Sequence, residues 1–164
     1  MKMPYNTFCL ICLTSVTILL SSCKNNPKSH NKGTDLLKYG VPVVIQTPDD
    51  VVITKLGSGQ LTDVSVRNDQ GYDVQIFMTN AVSNDMTRLK REKKELIITN
   101  PYFSKIVEEY DEGFIYEIRN ESNERSYDFN IVKISGNNEI SFQCGNSKEF
   151  TESEVKKMVR SIMK

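Results

Sequence analysis

The chain is 164 residues long, enough for one ordinary domain. Its 21 basic and 21 acidic side chains cancel, so no whole-chain field draws it to nucleic acid or to anionic lipid. A single histidine, His30, and the absence of tryptophan leave little of the usual material for acid–base or metal chemistry or for sugar stacking.

Lys2 forms a short positive head, and "FCLICLTSVTILL" (8–20) is an apolar run of signal-peptide length. It is short for a bilayer span, and Lys24 follows closely. Cys9 and Cys12 lie inside this run, so its removal leaves only Cys23 and Cys144, too few and too far apart for a disulfide framework. Leu20-Ser21-Ser22-Cys23 is an aliphatic residue, two small ones and a cysteine, and it resembles the lipobox of bacterial lipoproteins. The resemblance implies a signal peptide over 1–22 and cleavage between Ser22 and Cys23. It also implies a diacylglyceryl group on the Cys23 sulfur and usually a further acyl chain, of the palmitate kind, on the new amino terminus. Each buried CH₂ contributes about 0.8 kcal/mol, so one chain holds a protein marginally and two or three hold it firmly. An uncleaved anchor helix and an ordinary signal peptide are the alternatives.

Residues 23–35 read as a polar tether, with no aliphatic side chain from Lys24 through Thr34. Lys24 is not the aspartate that retains many lipoproteins at the inner membrane, and "KNNPK" carries no acid. The expected location is therefore the outer membrane, facing the periplasm.

The stretch 36–164 reads as one α+β domain. "VPVVIQTP" (41–48) and "VVITKLG" (51–57) are β-branched runs separated by a turn at Pro48-Asp49-Asp50. Over 62–80, Val64 and Val66 alternate with polar residues, "NDQG" turns, and Val74, Ile76 and Met78 resume, which predicts a hairpin. A helix is predicted over 85–97, capped by Ser83 or Asn84, with Met86, Leu89, Lys93, Leu96 and Ile97 on one face. Four strands follow in "YFSKIVEEY", "GFIYEIRN", "RSYDFNIVKIS" and "NEISFQCG", and their short polar turns suit a meander. The C-terminal "FTESEVKKMVRSIMK" has a capping box in Thr151 and Glu154, and an apolar stripe in Val155, Met158, Val159 and Ile162. Strands in runs without βαβ alternation predict a mainly antiparallel sheet with two packed helices, the second at the C-terminus. The layout over 39–164 is similar to the PsbP-like group of small sandwich domains, and the similarity implies an accessory or binding module.

The candidate chemistry is sparse. Glu108, Glu109, Asp111 and Glu112 surround Tyr110, and paired carboxylates serve as acid and base when their environments separate their pKa values. A solvated hairpin tip before Gly113 explains the same run. Arg88, Lys90, Arg91, Lys93 and Lys94 give the first helix a basic side, suited to an acidic partner or headgroups, although Glu92 and Glu95 interrupt it. Cys144 lacks a second cysteine or an activating histidine and reads as a structural thiol. His30 in the tether lacks companion metal ligands. "NDQGYD" (68–73) lacks calcium-loop spacing, and "LGSGQ" (56–60) lacks the lysine of a phosphate loop. No catalytic residue, metal or cofactor is assigned. The expectation is a lipid-anchored, non-catalytic module with a partner still to be identified, attached to the membrane through its lipid and unconnected with nucleic acid. The alternatives are an envelope enzyme with a scattered carboxylate site, or an inhibitor or immunity-type protein.

Overall fold

The computed structural model describes residues 32–57 and 60–164. The segment 1–22, the lipobox with Cys23, His30 and the tether up to residue 31 lie outside the described residues, as does part of the 56–60 stretch.

The chain opens with a two-stranded ribbon, β1 (Lys32–Asp35) against β2 (Val44–Thr47), joined through a 3-10 turn at Leu37–Tyr39. Gly40 closes that turn with φ of 92°, a conformation that costs glycine little. The β1 residues fall within the stretch read as tether, so the last part of that stretch is strand. Next come β3 (Val52–Lys55), β4 (Thr62–Arg67), β5 (Asp73–Asn80), α1 (Met86–Ile98), β6 (Phe103–Tyr110), β7 (Gly113–Arg119), β8 (Arg125–Ser135), β9 (Asn138–Cys144) and α2 (Glu152–Ile162).

The seven strands after the ribbon form one antiparallel sheet in the order β3-β4-β5-β9-β8-β7-β6. The molecule is therefore α+β, as the strand and helix pattern predicts. Two meanders meet in the middle: β3-β4-β5 runs inward from one edge, and α1 carries the chain to the other edge. From there β6 to β9 return until β9 pairs with β5.

Period-2 alternation decides which side chains meet. One face presents Val64, Val66, Val74, Ile76, Phe142, Ile140, Phe129, Ile131 and Ile115, all fully buried. The stripe of α2 lies on this face, with Val155, Met158, Val159 and Ile162 buried. Helix α2 also touches β2, so the ribbon covers its back and adds Leu36, Val41 and Ile45 to the same core. The capping box forms as the sequence predicts. Thr151 Oγ1 accepts from the Glu154 amide, and Glu154 returns to the Thr151 amide at 2.9 Å. The Lys148 ammonium and these capping hydrogen bonds bring the Glu154 carboxyl down to about 2.

Helix α1 departs from the sequence reading in two ways. Its cap is Asp85, which accepts from the Arg88 amide at 3.0 Å, while Ser83 bonds the Asp85 amide. Leu89 is its one buried side chain, and Leu96 is 70% exposed. The inward face uses lysine instead: half-buried Lys90, Lys93 and Lys94 lie along the sheet and carry their ammonium groups to acidic partners. Two glycines permit close approaches elsewhere in the sheet. A Cβ on Gly113 would overlap the Asn130 carbonyl, and one on Gly145 would overlap the Asp73 carboxylate.

Burial separates the sheet core from the outer side of α1 energetically. Phe142→Ala is expected to lower the unfolding free energy by about 3–5 kcal/mol in urea titration. Leu96→Ala should leave it within about 0.5 kcal/mol. A large effect at Leu96 would contradict the placement of α1.

Candidate binding cleft

Strand β8 is longer than its neighbour. It pairs with β7 from Arg125 onward, but its register with β9 runs only from Ile131↔Phe142 to Ser135↔Asn138. The first part of β8 therefore lacks a β9 partner. Asp128 fills the gap: its Oδ1 accepts from the amides of Phe129 at 2.7 Å and Cys144 at 2.9 Å, and its Oδ2 accepts from the Tyr116 hydroxyl at 2.8 Å. A side chain thus makes the link that a strand pair would otherwise make.

Beyond Cys144 the chain turns away and is pinned as it goes. The Gly145 amide donates to the Asp73 carbonyl at 3.0 Å, and the Ser147 amide donates to Asp73 Oδ2 at 3.2 Å. The Phe150 carbonyl accepts from the Tyr127 amide at 3.0 Å, and the Phe150 ring is buried. This loop is one wall. The opposite wall is the turn after α1 and the β7–β8 turn. The Arg119 amide donates to the Tyr102 carbonyl at 2.8 Å, and the Tyr102 hydroxyl donates to Glu121 at 3.3 Å. Asn120 accepts from the Glu124 amide and donates to the carboxylates of Glu124 and Glu149. Between the walls lies a cleft of about 670 Å³, within the usual range for small-ligand sites. Ile118, Ser126, Asp128 and Cys144 are among the residues at its base.

The charges around the cleft are largely occupied within the protein. Arg119 reaches Glu117 at 3.0 Å and Asn123 at 3.0 Å, Lys148 pairs with Glu154, and Glu149 and Glu121 accept from Asn120 and Tyr102. Glu117 is fully buried on the opposite sheet face. Burial raises its pKa, but hydrogen bonds from Ser104 and Arg119, with the charges of Lys105 and Arg119, outweigh burial and hold the carboxyl below its ordinary value. Asp128 shows the reverse balance. Burial pushes its carboxyl up, and the donors from Cys144, Tyr116 and Phe129 recover only part of that rise. The Cys144 thiol is pushed up by burial and by the neighbouring Asp128, so it stays protonated and unreactive. The arrangement suits binding better than nucleophilic attack.

The carboxylates singled out from sequence are separated. Glu108 bonds Lys156 of α2 at 3.1 Å, while Glu109 pairs with Lys94 and Lys90 of α1, on the other side of the sheet. The Tyr110 hydroxyl, raised to about 12 by burial and then by Glu108, bonds Glu108. The run ties both helices to β6 and sends Glu108 and Glu109 to opposite sides of the sheet. The basic side of α1 is likewise paired: Arg88 with Glu92, Arg91 with Glu95, and Lys93 with Glu139 at 2.8 Å. In 68–73, Asn68 Oδ1 accepts from the amides of Gln70 and Tyr72, a side-chain-stabilised turn. Among the described residues, no group of three or more His, Cys, Asp or Glu is placed to hold a metal ion.

The cleft residues themselves escape a sequence reading. Ser126, Asp128 and Asn130 occupy the alternating polar positions of β8, which an amphipathic strand assigns to solvent, yet Ser126 and Asn130 are buried. Three polar residues in a row on one strand face, "SYDFN", is the available signal. No family model, curated protein or solved structure matches the chain.

Removing the Asp128 carboxylate leaves two amides and a hydroxyl without an acceptor. Asp128→Ala is expected to cost about 2–5 kcal/mol, and Asp128→Asn clearly less, by urea titration. A carboxyl whose pKa is raised by folding binds its proton more tightly in the folded state. Stability from this group therefore declines as pH rises from its ordinary 3.8 through the folded value. In Asp128→Asn that decline should vanish; an unchanged pH profile would refute the assignment.

Proposed function

We propose that this chain is a lipid-anchored protein of the bacterial envelope that binds another envelope component in the cleft, without catalysing a reaction on it. The observation that carries the binding reading is the pre-formed cleft, whose walls are fixed by backbone hydrogen bonds and whose charged side chains are engaged within the protein. Pre-organised walls reduce the ordering cost of binding. The protonated Cys144 thiol and the separation of Glu108 from Glu109 favour binding over a carboxylate- or thiol-based reaction. The anchor rests on the lipobox-like Leu20-Ser21-Ser22-Cys23, and the PsbP-like layout agrees with an accessory role. The lack of the aspartate signal after Cys23 favours the outer membrane, with the domain in the periplasm.

Two measurements test the reading separately. Cells treated with an inhibitor of the lipoprotein signal peptidase should accumulate the full-length precursor, and Cys23→Ser should abolish acyl labelling. Normal maturation in both cases removes the anchor. For the cleft, a photo-crosslinking amino acid at Tyr102 or Asn146 should capture a partner in cells, whereas one at exposed Val82 should not. Capture at Val82 alone would move the functional surface elsewhere.

A further inference from the structure

Resting on the binding reading, we infer that the cleft accommodates a neutral oligosaccharide, recognised through hydroxyl and amide hydrogen bonds and an aromatic platform. The first observation is a hydroxyl in the cleft wall that is not engaged within the protein. Ser126 is 7% exposed, lines the cleft, and its hydroxyl has no hydrogen-bond partner among the described residues. Ser126 lines the space a ligand would fill, and its hydroxyl is free to give and take hydrogen bonds there. Asn146, on the facing wall, also has a side chain without a partner among the described residues.

The second observation is charge. Lys148 is held by Glu154 and Arg119 by Glu117, so an anionic ligand would compete with existing ion pairs. Glu121 and Glu149 each accept from one neutral donor, and a carboxylate has further lone pairs for hydroxyl groups. Open donors and acceptors therefore share the cleft, which matches sugar hydroxyls that both give and take.

The third observation is shape and apolar character. Ile118 is the one aliphatic residue lining the cleft, whereas exposed Tyr102 and half-buried Tyr127 supply aromatic surface. Tyr102 is 44% exposed at the rim, where its ring offers a flat apolar face with a polar tip. A peptide would want a free strand edge or aliphatic pockets. The adjacent β8 edge instead has its Tyr127 amide taken by the Phe150 carbonyl.

The test uses the mature lipidated protein, labelled with ¹⁵N, in micelles of a detergent without sugar such as lauryldimethylamine oxide. Chitotetraose and maltotetraose are the saccharide probes; an N-acetylated, amidated trialanine and inorganic phosphate are the competitors. At least one tetrasaccharide should give saturable amide shifts around Tyr102, Ser126 and Asn146, with affinity unchanged by added salt. Ser126→Ala should weaken that affinity about five- to tenfold while leaving the melting temperature unchanged, because the lost hydroxyl has no partner in the free protein. If neither saccharide shifts these amides but the peptide or phosphate does, the saccharide assignment fails and the binding reading stands. If no probe shifts them and crosslinking at Tyr102 and Asn146 is also negative, both fail. If Ser126→Ala lowers the melting temperature and leaves affinity intact, the hydroxyl is structural and the assignment is overturned.

Discussion

The hydrogen-bonded seam between β5 and β9 joins two segments of chain that have no other reason to lie together. It runs from Val74↔Cys144 to Asn80↔Asn138, between residues as much as about 70 apart in sequence. Once it forms, the buried face of β3-β4-β5 and that of β6 to β9 become one surface, wide enough to take the apolar stripe of α2. Without it each half would be a three- or four-stranded meander with an exposed apolar face, a marginal object in water. Asp73 extends the seam past the last strand pair by holding the amides of Gly145 and Ser147, which aims the chain into α2. The ribbon of β1 and β2 then closes over a helix that already has its place.

The cleft follows from a mismatch in strand length. Because β8 outruns β9, a gap opens where two backbones would otherwise satisfy each other, and a carboxylate takes over. Asp128 and Glu117 show how differently a sheet can hold an acid. Glu117 is surrounded by cationic and hydroxyl donors and remains ionised readily, whereas Asp128 meets two amides and a phenol with no cation near enough to offset burial. The first braces the underside of the site, and the second sets the distance between its walls.

Much of this architecture was legible in the residues. The runs "GFIYEIRN" and "RSYDFNIVKIS" between polar turns marked β7 and β8. The Thr151–Glu154 box marked the start of α2 to the residue. Helix α1 was legible in extent but not in contact, because helical spacing cannot say that lysine stems rather than Leu96 will face the sheet. The strand β1 was hidden in polar sequence, since Lys32–Asp35 contains no apolar residue and gains its place from pairing with β2. The cleft was the least legible part. It depends on which strand ends first and on a loop that folds back beside it, and neither leaves a periodic trace. The acidic run around Tyr110 drew notice as a cluster, but adjacent residues on a strand point to opposite faces, and that geometry divides Glu108 from Glu109.

The far edge of the sheet also has a consequence for how the molecule behaves among its own kind. Strand β6 slips register against β7 twice, between Phe103 and Lys105 and between Ile106 and Glu108. Each irregularity twists the outer row of amides and carbonyls out of line, and Lys105 places a charge along it. A neighbouring strand arriving there finds no straight template to extend. At high local density, the chain can crowd against copies of itself along this edge without propagating into a shared sheet.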